Sequence, residues 1–215
     1  MSKFYYSGVC CIDTKGGPDM AAREKICHAL LELLKEKDVD DITVSELIRL
    51  AGVSRSSYYY YFYRPKSILD DMVQDFLKVY AEILDSLGQA LPGDSNQRDA
   101  AMRLARHFYE HKTLVTRLFF SNSHDKFRSD LIRVYISALE AHDIYAGTGD
   151  NEAPEKIEDL SLIGLYTYSE GYAFAGRMEW WAGCGFSIPP EELLERTEQL
   201  ARLARPCFVR RPAKP

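Results

Sequence analysis

Apolar residues recur at steps of three and four along most of the chain, which is the spacing of one face of an α-helix. The first such stripe lies in residues 22–37 and consists of Ile26, Ala29, Leu30, Leu33 and Leu34. Pro18 and Asp19 stand where this helix would begin, since proline fits a first turn and aspartate can cap free amides. No segment shows the apolar and polar alternation of a strand, so the pattern predicts an all-α protein.

Turn-rich segments interrupt the helical pattern and divide the chain. Residues 87–99 and 146–155 combine glycine, proline, aspartate and asparagine, a composition that predicts loops. Residues 183–192 contain two adjacent prolines that fit the start of a last helix, which we predict from Pro190 to Ala204. Before that break, a long helix is predicted over residues 155–181.

Residues 40–62, DDITVSELIRLAGVSRSSYYYYF, predict a helix, a tight turn and a second helix. Thr43 and Glu46 have the spacing of a capping box at the start of the first helix. Gly52 permits the turn, and Ser54 can cap the second helix, which we predict over residues 55–62.

The four consecutive tyrosines of that second helix cannot all face the same way. Each residue turns the helix by about 100°, so Tyr58 and Phe62 share a face and are expected to pack inward. Tyr59 and Tyr60 must then point elsewhere. Together with the Arg-Ser-Ser segment that precedes the tyrosines, they form a polar and aromatic face where a recognition helix would meet base edges and phosphates.

Composition restricts where such a contact could lie. The chain has 215 residues, a formal net charge of −5 and a pI near 5.6. Because DNA-binding surfaces are usually basic, any DNA contact must be confined to a local patch. No apolar run approaches the roughly 18 residues that a membrane helix needs, so we expect a cytoplasmic protein without a membrane segment. The five cysteines lack the paired spacing of a zinc site, and we expect reduced thiols.

Residues 22–73 resemble the N-terminal domain of the TetR family of transcriptional regulators. The agreement includes ITV at the start of the second helix, AGVS at the turn, and a short third helix that ends in aromatic residues. The resemblance implies a three-helix DNA-binding head over residues 20–69, preceded by a flexible leader over residues 1–19. It also implies a larger helical domain over residues 70–215 for ligand binding and dimerisation.

The same resemblance implies roles for individual side chains. Tyr59 would contact a phosphate, while Arg55 and Tyr60 would face the major groove. Pro65 stands where a lysine usually opens the fourth helix of the family, so a neighbouring basic residue would have to replace that phosphate contact. The predicted DNA-binding residues are Thr43, Ser45, Arg55, Ser56, Ser57, Tyr59, Tyr60, Tyr61 and Lys66.

Residues 109–121 and 172–193 resemble the C-terminal domain of TetR-type regulators grouped with a dihydroxyacetone kinase regulator. The long helix carries an apolar stripe with several small residues, which allow a close approach of another helix. Paired with the last helix, this stripe predicts a dimer interface that contains Leu160, Gly164, Tyr168, Gly171, Ala175, Leu193 and Leu200. The alternative is that the stripe packs only inside one chain.

An apolar ligand pocket with a few polar groups is predicted in the same domain. Its wall would contain Phe108, Phe119, Tyr135, Tyr166, Trp180 and Trp181. For each of these residues, ordinary core packing is the alternative.

These patterns predict a dimeric repressor that binds a near-palindromic double-stranded DNA operator and is released by a small-molecule effector, without a cofactor, a bound metal or an enzymatic activity. One alternative is a co-regulator that acts through protein partners without operator binding. Another is a zinc hydrolase, since HFYEH at residues 107–111 has the spacing in which two histidines bind zinc and a glutamate acts as general base. Glu170 or Glu179 would then supply a third ligand, and a non-catalytic metal or anion site at the two histidines is a further possibility.

Overall fold

The computed structural model describes residues 20–89, 95–120, 126–142 and 160–204. These residues form nine α-helices and no strand, which confirms the predicted all-α fold. The helices are α1 (Met20–Leu34), α2 (Val44–Ala51), α3 (Arg55–Tyr61), α4 (Pro65–Gln89), α5 (Ser95–Glu110), α6 (Lys112–Phe120), α7 (Lys126–Ala141), α8 (Leu160–Gly183) and α9 (Pro190–Ala204). A single 3-10 turn, Val39–Asp41, lies between α1 and α2.

The helix ends agree with the sequence pattern where a proline or a cap marks them. α9 begins at Pro190 and ends at Ala204, as predicted. α4 begins at Pro65, a position that suits proline because its missing N–H has no partner in a first turn. α1 ends at Leu34, three residues earlier than predicted, because residues 35–37 close into a turn whose N–H groups donate to the carbonyls of Glu32 and Leu33. The predicted leader and the loop over residues 146–155 lie outside the described residues.

One apolar core runs from the first helix to the last. Its members with 2% exposure or less include Ile26, Leu30, Leu47, Tyr58, Ile68, Phe76, Phe108, Leu114, Leu131 and Trp181. α4 contributes at both ends of this core and passes without a break through the predicted boundary between residues 69 and 70. It therefore links the N-terminal helices mechanically to the rest of the chain, and the predicted domain boundaries stay a prediction.

The helices pack in neighbouring pairs around α4. α1 contacts α2, α3, α4 and α6, whereas α4 lies against both α5 and α7. α5 packs on α9, and α7 packs on α8. Among the described helices, none combines the length and apolarity that a membrane crossing requires.

The buried hydroxyl of Tyr58 gives a stability prediction. The Tyr58 side chain is fully buried, and its hydroxyl has no hydrogen-bond partner among the described residues. Burial raises the pKa of Tyr58 to about 12. An unsatisfied buried hydroxyl costs about 1–3 kcal/mol, so Tyr58→Phe should raise the free energy of unfolding by about 1 kcal/mol in urea denaturation.

Tyr80 is the matched control for this substitution. Its ring is equally buried, but its hydroxyl donates to the Leu131 carbonyl at 3.4 Å. Tyr80→Phe should therefore leave stability unchanged or lower it. A Tyr58→Phe protein that is less stable than the wild type would show that this hydroxyl has a stabilising partner.

Candidate nucleic-acid interface

The start of α2 is fixed by the predicted capping box. The Thr43 hydroxyl accepts from the Glu46 amide at 3.3 Å, and the Glu46 carboxylate accepts from the Thr43 amide at 2.9 Å. The Lys37 ammonium lies 2.6 Å from the same carboxylate. Lys37, together with the Thr43 hydrogen bonds, lowers the pKa of Glu46 to about 2. These contacts fix the entry of α2 relative to the end of α1.

The turn between α2 and α3 follows the predicted glycine and serine signals. Gly52 has φ of +63°, in the left-handed region that favours glycine, and its N–H donates to the Ile48 carbonyl at 3.0 Å. The Ser54 hydroxyl caps α3 by accepting from the Ser57 amide at 3.0 Å. α3 ends at Tyr61 because Phe62 adopts an extended backbone, with φ of −137°.

The tyrosine block divides between core and surface as predicted. Tyr58 is 0% exposed and Phe62 is 3% exposed, whereas Tyr59 and Tyr60 are 46% and 74% exposed. The Arg55 guanidinium lies 5.7 Å from the centre of the Tyr59 ring, a distance that permits a cation–π interaction. The Arg55 and Tyr59 side chains of the candidate contact face therefore restrict each other's conformations in the absence of a bound partner.

The remaining predicted DNA-binding residues surround this face. Ser45 and Ser56 are exposed, while Ser57, Tyr61 and Lys66 are partly buried. Thr43 is exposed as well, but its hydroxyl is occupied by the capping box. Direct contact of these residues with DNA stays a prediction.

Two exposed residues near this surface, Tyr63 and Arg49, were not predicted from the sequence. Tyr63 is 84% exposed, more than the other large apolar side chains of the described residues, and it follows the tyrosine helix directly. Arg49 on α2 is also exposed. Arg64 before α4 is exposed too, and with Lys66 it was predicted as a replacement for the phosphate contact that Pro65 cannot make. The sequence did contain a signal for the two missed residues, because the aromatic block continues through Tyr63 and Arg49 precedes that block in the same helix-turn-helix.

The local charge around α3 is opposite to that of the whole chain. Residues 47–69 contain four basic side chains, Arg49, Arg55, Arg64 and Lys66, and no acidic one, although the net charge of the chain is −5. A local basic footprint of this kind is what a phosphate backbone requires. The overall acidity of the chain therefore does not oppose a nucleic-acid contact at this surface.

The two histidines of the HFYEH segment do not form a metal centre with the residues described. His107 Nε2 donates to the Phe76 carbonyl at 3.1 Å, and His111 Nδ1 donates to the His107 carbonyl at 2.8 Å. Glu110 is exposed, and Glu179 pairs with Arg128. No group of three His, Cys, Asp or Glu side chains that could hold a metal ion occurs in the described part of the chain.

The burial of His107 predicts a pH dependence of stability. Burial, reinforced by the neighbouring His111, lowers the pKa of His107 from 6.5 to about 4. The unfolded chain therefore binds a proton at His107 near pH 6.5, whereas the folded chain binds it only near pH 4. Because the unfolded state binds more protons between these values, the free energy of unfolding falls as the pH drops below 6.5. Between pH 7 and pH 5, His107 should lower the free energy of unfolding by about 2 kcal/mol, because a pKa shift of one unit corresponds to 1.36 kcal/mol.

Urea denaturation at several pH values measures this slope, and His107→Gln should flatten it between pH 7 and pH 5 because glutamine does not titrate. The matched control is His28→Gln, since His28 is exposed on α1 and this substitution should leave the slope unchanged. An unaltered slope in His107→Gln would assign the pH dependence to other groups.

The six predicted pocket residues differ in their burial. Phe108 and Trp181 are fully buried in the core, Phe119, Tyr135 and Tyr166 are partly buried, and Trp180 is 52% exposed. Tyr135 stacks on Phe174, which also contacts Phe108, whereas Trp181 stacks on Tyr109. Phe108, Tyr135 and Trp181 therefore pack on neighbouring aromatic rings, and a pocket wall formed by all six residues stays a prediction.

An open groove of about 420 Å³ lies elsewhere, between α4 and α7. Its lining combines small apolar residues with a few polar ones: Ala81, Asp85, Arg133, Val134, Ser137, Ala138, Ala141 and His142. None of the predicted pocket residues belongs to it.

The predicted dimer residues divide between the core and the surface. Gly171 lies directly under Ile136 of α7, where an added Cβ would be 3.0 Å from a side-chain carbon, and Ala175 and Leu193 are buried in the same chain. Tyr168 and Leu200 are more than half exposed, and Gly164 is exposed too. Leu160 begins α8, but its side chain lies outside the described residues.

A different face of α8 is apolar and uncovered. We call this the α8 outer face, and it consists of Leu165, Tyr168, Tyr172 and Trp180, which are 64%, 56%, 49% and 52% exposed. The hydroxyls of Tyr168 and Tyr172 lie 3.0 Å apart. Ala173 and Gly176 lie between the large side chains and are exposed as well. Sequence analysis identified Tyr168 of this face but assigned it to the stripe that contains Gly171.

Comparison with known proteins supports a relationship to DNA-binding regulators over part of the chain. No protein-family model matches it. The uncharacterized HTH-type transcriptional regulator YxbF of Bacillus subtilis is 37% identical over 71 residues, which are 33% of this chain and 17% of YxbF. YvdT of the same organism, described in the same words, is 27% identical over 73 residues, 34% of this chain and 36% of YvdT. The match thus spans about a sixth of YxbF and little more than a third of YvdT.

Several solved structures of transcriptional regulators have a fold similar to that of this chain over most of its length. A structure from Syntrophomonas wolfei assigned to the TetR family has a TM-score of 0.62 with 17% identity, over 88% of this chain and 97% of the other. A TetR/AcrR-family regulator from Aquifex aeolicus gives 0.61 with 15% identity, over 85% and 99%. The dihydroxyacetone kinase operon activator DhaS gives 0.58 with 15% identity, over 89% and 100%. The resemblance predicted from the sequence is thereby confirmed, and the chain has the fold of the TetR/AcrR transcriptional regulators.

Proposed function

We propose that the protein is a sequence-specific DNA-binding transcriptional regulator that reads double-stranded DNA with α3. The observation that carries this proposal is the exposed face of Arg55, Tyr59 and Tyr60 on a short helix that is capped and anchored from behind by Tyr58. A side chain that served only the core would not be held at 46% or 74% exposure on a well-capped helix. In a helix-turn-helix, these positions near the start of the second helix meet the major groove.

The chemistry of the face suits both parts of a DNA contact. Arg55 can donate two hydrogen bonds to the edge of a guanine, which makes it the candidate for base recognition. The phenolic hydroxyls of Tyr59 and Tyr60 can donate to phosphate oxygens. Arg64 and Lys66 at the start of α4 supply positive charge beside them, in place of the lysine that Pro65 replaces.

We further propose that the protein acts as a homodimer through the α8 outer face. Apolar patches that remain uncovered on a single chain mark association surfaces, and an isologous contact buries the same patch on both subunits. Small residues between the aromatic ones permit close approach of a second helix. A two-fold dimer would present two copies of α3 to half-sites about 34–36 Å apart, so the operator would be nearly palindromic.

Regulation by a small molecule is the last part of the proposal. A ligand that binds the helices beyond residue 70 more tightly in one arrangement than in another would shift the population of that arrangement. α4 carries such a shift to the DNA-binding helices because it is one unbroken helix from Pro65 to Gln89. An effector would thereby change the separation of the two α3 helices and weaken operator binding.

Fluorescence anisotropy against the chain's own upstream intergenic DNA, with scrambled DNA alongside and across a salt series, tests the proposal. Specific binding should exceed non-specific binding by roughly 10³ or more. Equal, weak binding to both DNAs, together with a genome-wide selection of bound fragments that recovers none, would refute operator recognition and favour a co-regulator that acts through protein partners. A reporter gene placed behind the selected operator then separates repression from activation.

A further inference from the structure

Arg23 on α1 contacts two other elements at the point where the DNA-binding helices meet α4. Its Nη2 lies 3.4 Å from Asp75 Oδ2 and 3.7 Å from Asp71 Oδ2, both on α4. Its guanidinium carbon lies 5.8 Å from the centre of the Phe62 ring. Phe62 is the C-cap residue directly after α3, so a single side chain contacts both the end of the recognition helix and the helix that leads away from it.

The chemistry of arginine suits this three-way contact. A planar guanidinium can stack on an aromatic ring with its face while its edge donates to carboxylates, which a lysine ammonium cannot do. The Arg23 side chain is only 24% exposed, so water screens these interactions less than it screens an open surface pair. Phe62 is itself buried, which gives the arginine a fixed platform.

The two carboxylates lie one helical turn apart on the same face of α4. Arg23 is nearly equidistant from them, so it can keep an ionic partner when α4 moves by a fraction of a turn along its axis. Packed interfaces change between discrete arrangements of this kind and do not deform continuously.

We propose that Arg23 is a positioning residue for operator binding, which sets the orientation of α3 relative to α4 through Asp71, Asp75 and Phe62. The proposal rests on the proposed function. In a dimer built on the α8 outer face, the orientation of each α4 decides where the two α3 helices lie. Arg23 would therefore control which half-site spacing the protein accepts.

A spacing series of operators tests this directly. Each added base pair moves the second half-site by about 3.4 Å and turns it by about 35°, so a well-oriented dimer prefers one spacing. In Arg23→Ala, the preference for the best spacing over its one-base-pair neighbours should fall by about ten-fold. Lys25→Ala is the matched control, because it removes a positive charge from an exposed position of the same helix and should leave the preference unchanged.

Two further measurements separate positioning from a loss of folding. Destabilisation alone lowers affinity for all spacings by the same factor, so it leaves the ratio between spacings unchanged. Arg23→Lys and Asp75→Asn, which remove the planar fork or one carboxylate, should lower the preference less than Arg23→Ala does, in samples shown to be folded by urea denaturation. If the wild type prefers one half-site spacing and Arg23→Ala keeps that preference in full, the inference about Arg23 is overturned and the proposed function stays intact. A wild type that prefers no spacing would refute operator binding as a dimer, and the role of Arg23 with it.

Discussion

Arg55→Ala and Tyr59→Ala should each weaken operator binding by about 30-fold to 10⁴-fold without unfolding the protein. A side chain that contacts a base or a phosphate is worth about 1–3 kcal/mol, and a dimer carries each substitution twice. Arg55 is exposed and lies against Tyr59 and not in the core, so its loss should change the free energy of unfolding by less than about 0.5 kcal/mol. The exposed Tyr59 also packs edge-on against the buried Tyr58 ring, so Tyr59→Ala should lower the free energy of unfolding by about 1 kcal/mol. Anisotropy against the selected operator and urea denaturation measure the two quantities.

The two variants should differ in how they treat unrelated DNA. Arg55 is the candidate for base recognition, so its loss should lower the ratio of specific to non-specific binding. Tyr59 is the candidate for a phosphate contact, so its loss should weaken binding to all sequences by similar factors. Arg103→Ala is the matched control, since it removes an exposed arginine from α5, far along the chain from α3. A control that loses as much affinity as Arg55→Ala would mean that net charge, and not the α3 face, governs binding.

The α3 surface was predictable because its determinants are local in sequence. Thr43 with Glu46, the left-handed Gly52 and the Ser54 cap act within three or four residues, and each occurs in the structure as predicted. The separation of buried Tyr58 from exposed Tyr60 follows from the rotation of about 100° per residue alone. Local rules therefore determine both the boundaries and the faces of this segment.

The partner of a helix face is not encoded locally, and the α8 residues show why. The small residue Gly171 indicates a close helix, and that helix is α7 of the same chain, with Ile132 and Ile136 lying over Gly171. Trp180 and Trp181 are adjacent and must point in different directions, yet only the packing of Phe186 and Tyr109 decides that Trp181 is the buried one. Sequence periodicity defines faces, whereas the fold decides which face is covered.

The HFYEH segment shows the same limit for a short motif. Its spacing does bring His107 and His111 together, with ring centres 4.7 Å apart. The Phe76 carbonyl, 31 residues away along the chain, then occupies the Nε2 of His107. A short motif gives the relative placement of its own side chains, but not the distant backbone groups that compete for them.

Tyr172→Glu on the α8 outer face should convert the proposed dimer to monomers and lower operator affinity by about 10² to 10⁴. Tyr172 is 49% exposed in the single chain, and its hydroxyl contacts that of Tyr168. In a two-fold interface, a glutamate at this position would place two carboxylates in an apolar contact, where desolvation costs several kcal/mol for each charge. A monomer reaches only one half-site, so it loses the effective concentration that links the second binding event to the first, which is worth 10² to 10⁴ in affinity.

Sedimentation equilibrium and anisotropy on the same samples decide this prediction. Tyr172→Phe keeps the ring and should stay dimeric with little loss of affinity, because only one exposed hydroxyl is removed. Ser137→Glu adds a carboxylate to an exposed position of α7 that lines the groove between α4 and α7 and does not belong to the α8 outer face, so it should leave the mass and the operator affinity unchanged. If Tyr172→Glu remained a dimer with wild-type affinity, the second chain would have to dock on another surface. If it became a monomer that still bound the operator with full affinity, one copy of α3 would suffice for recognition, and the requirement for a near-palindromic site would fall.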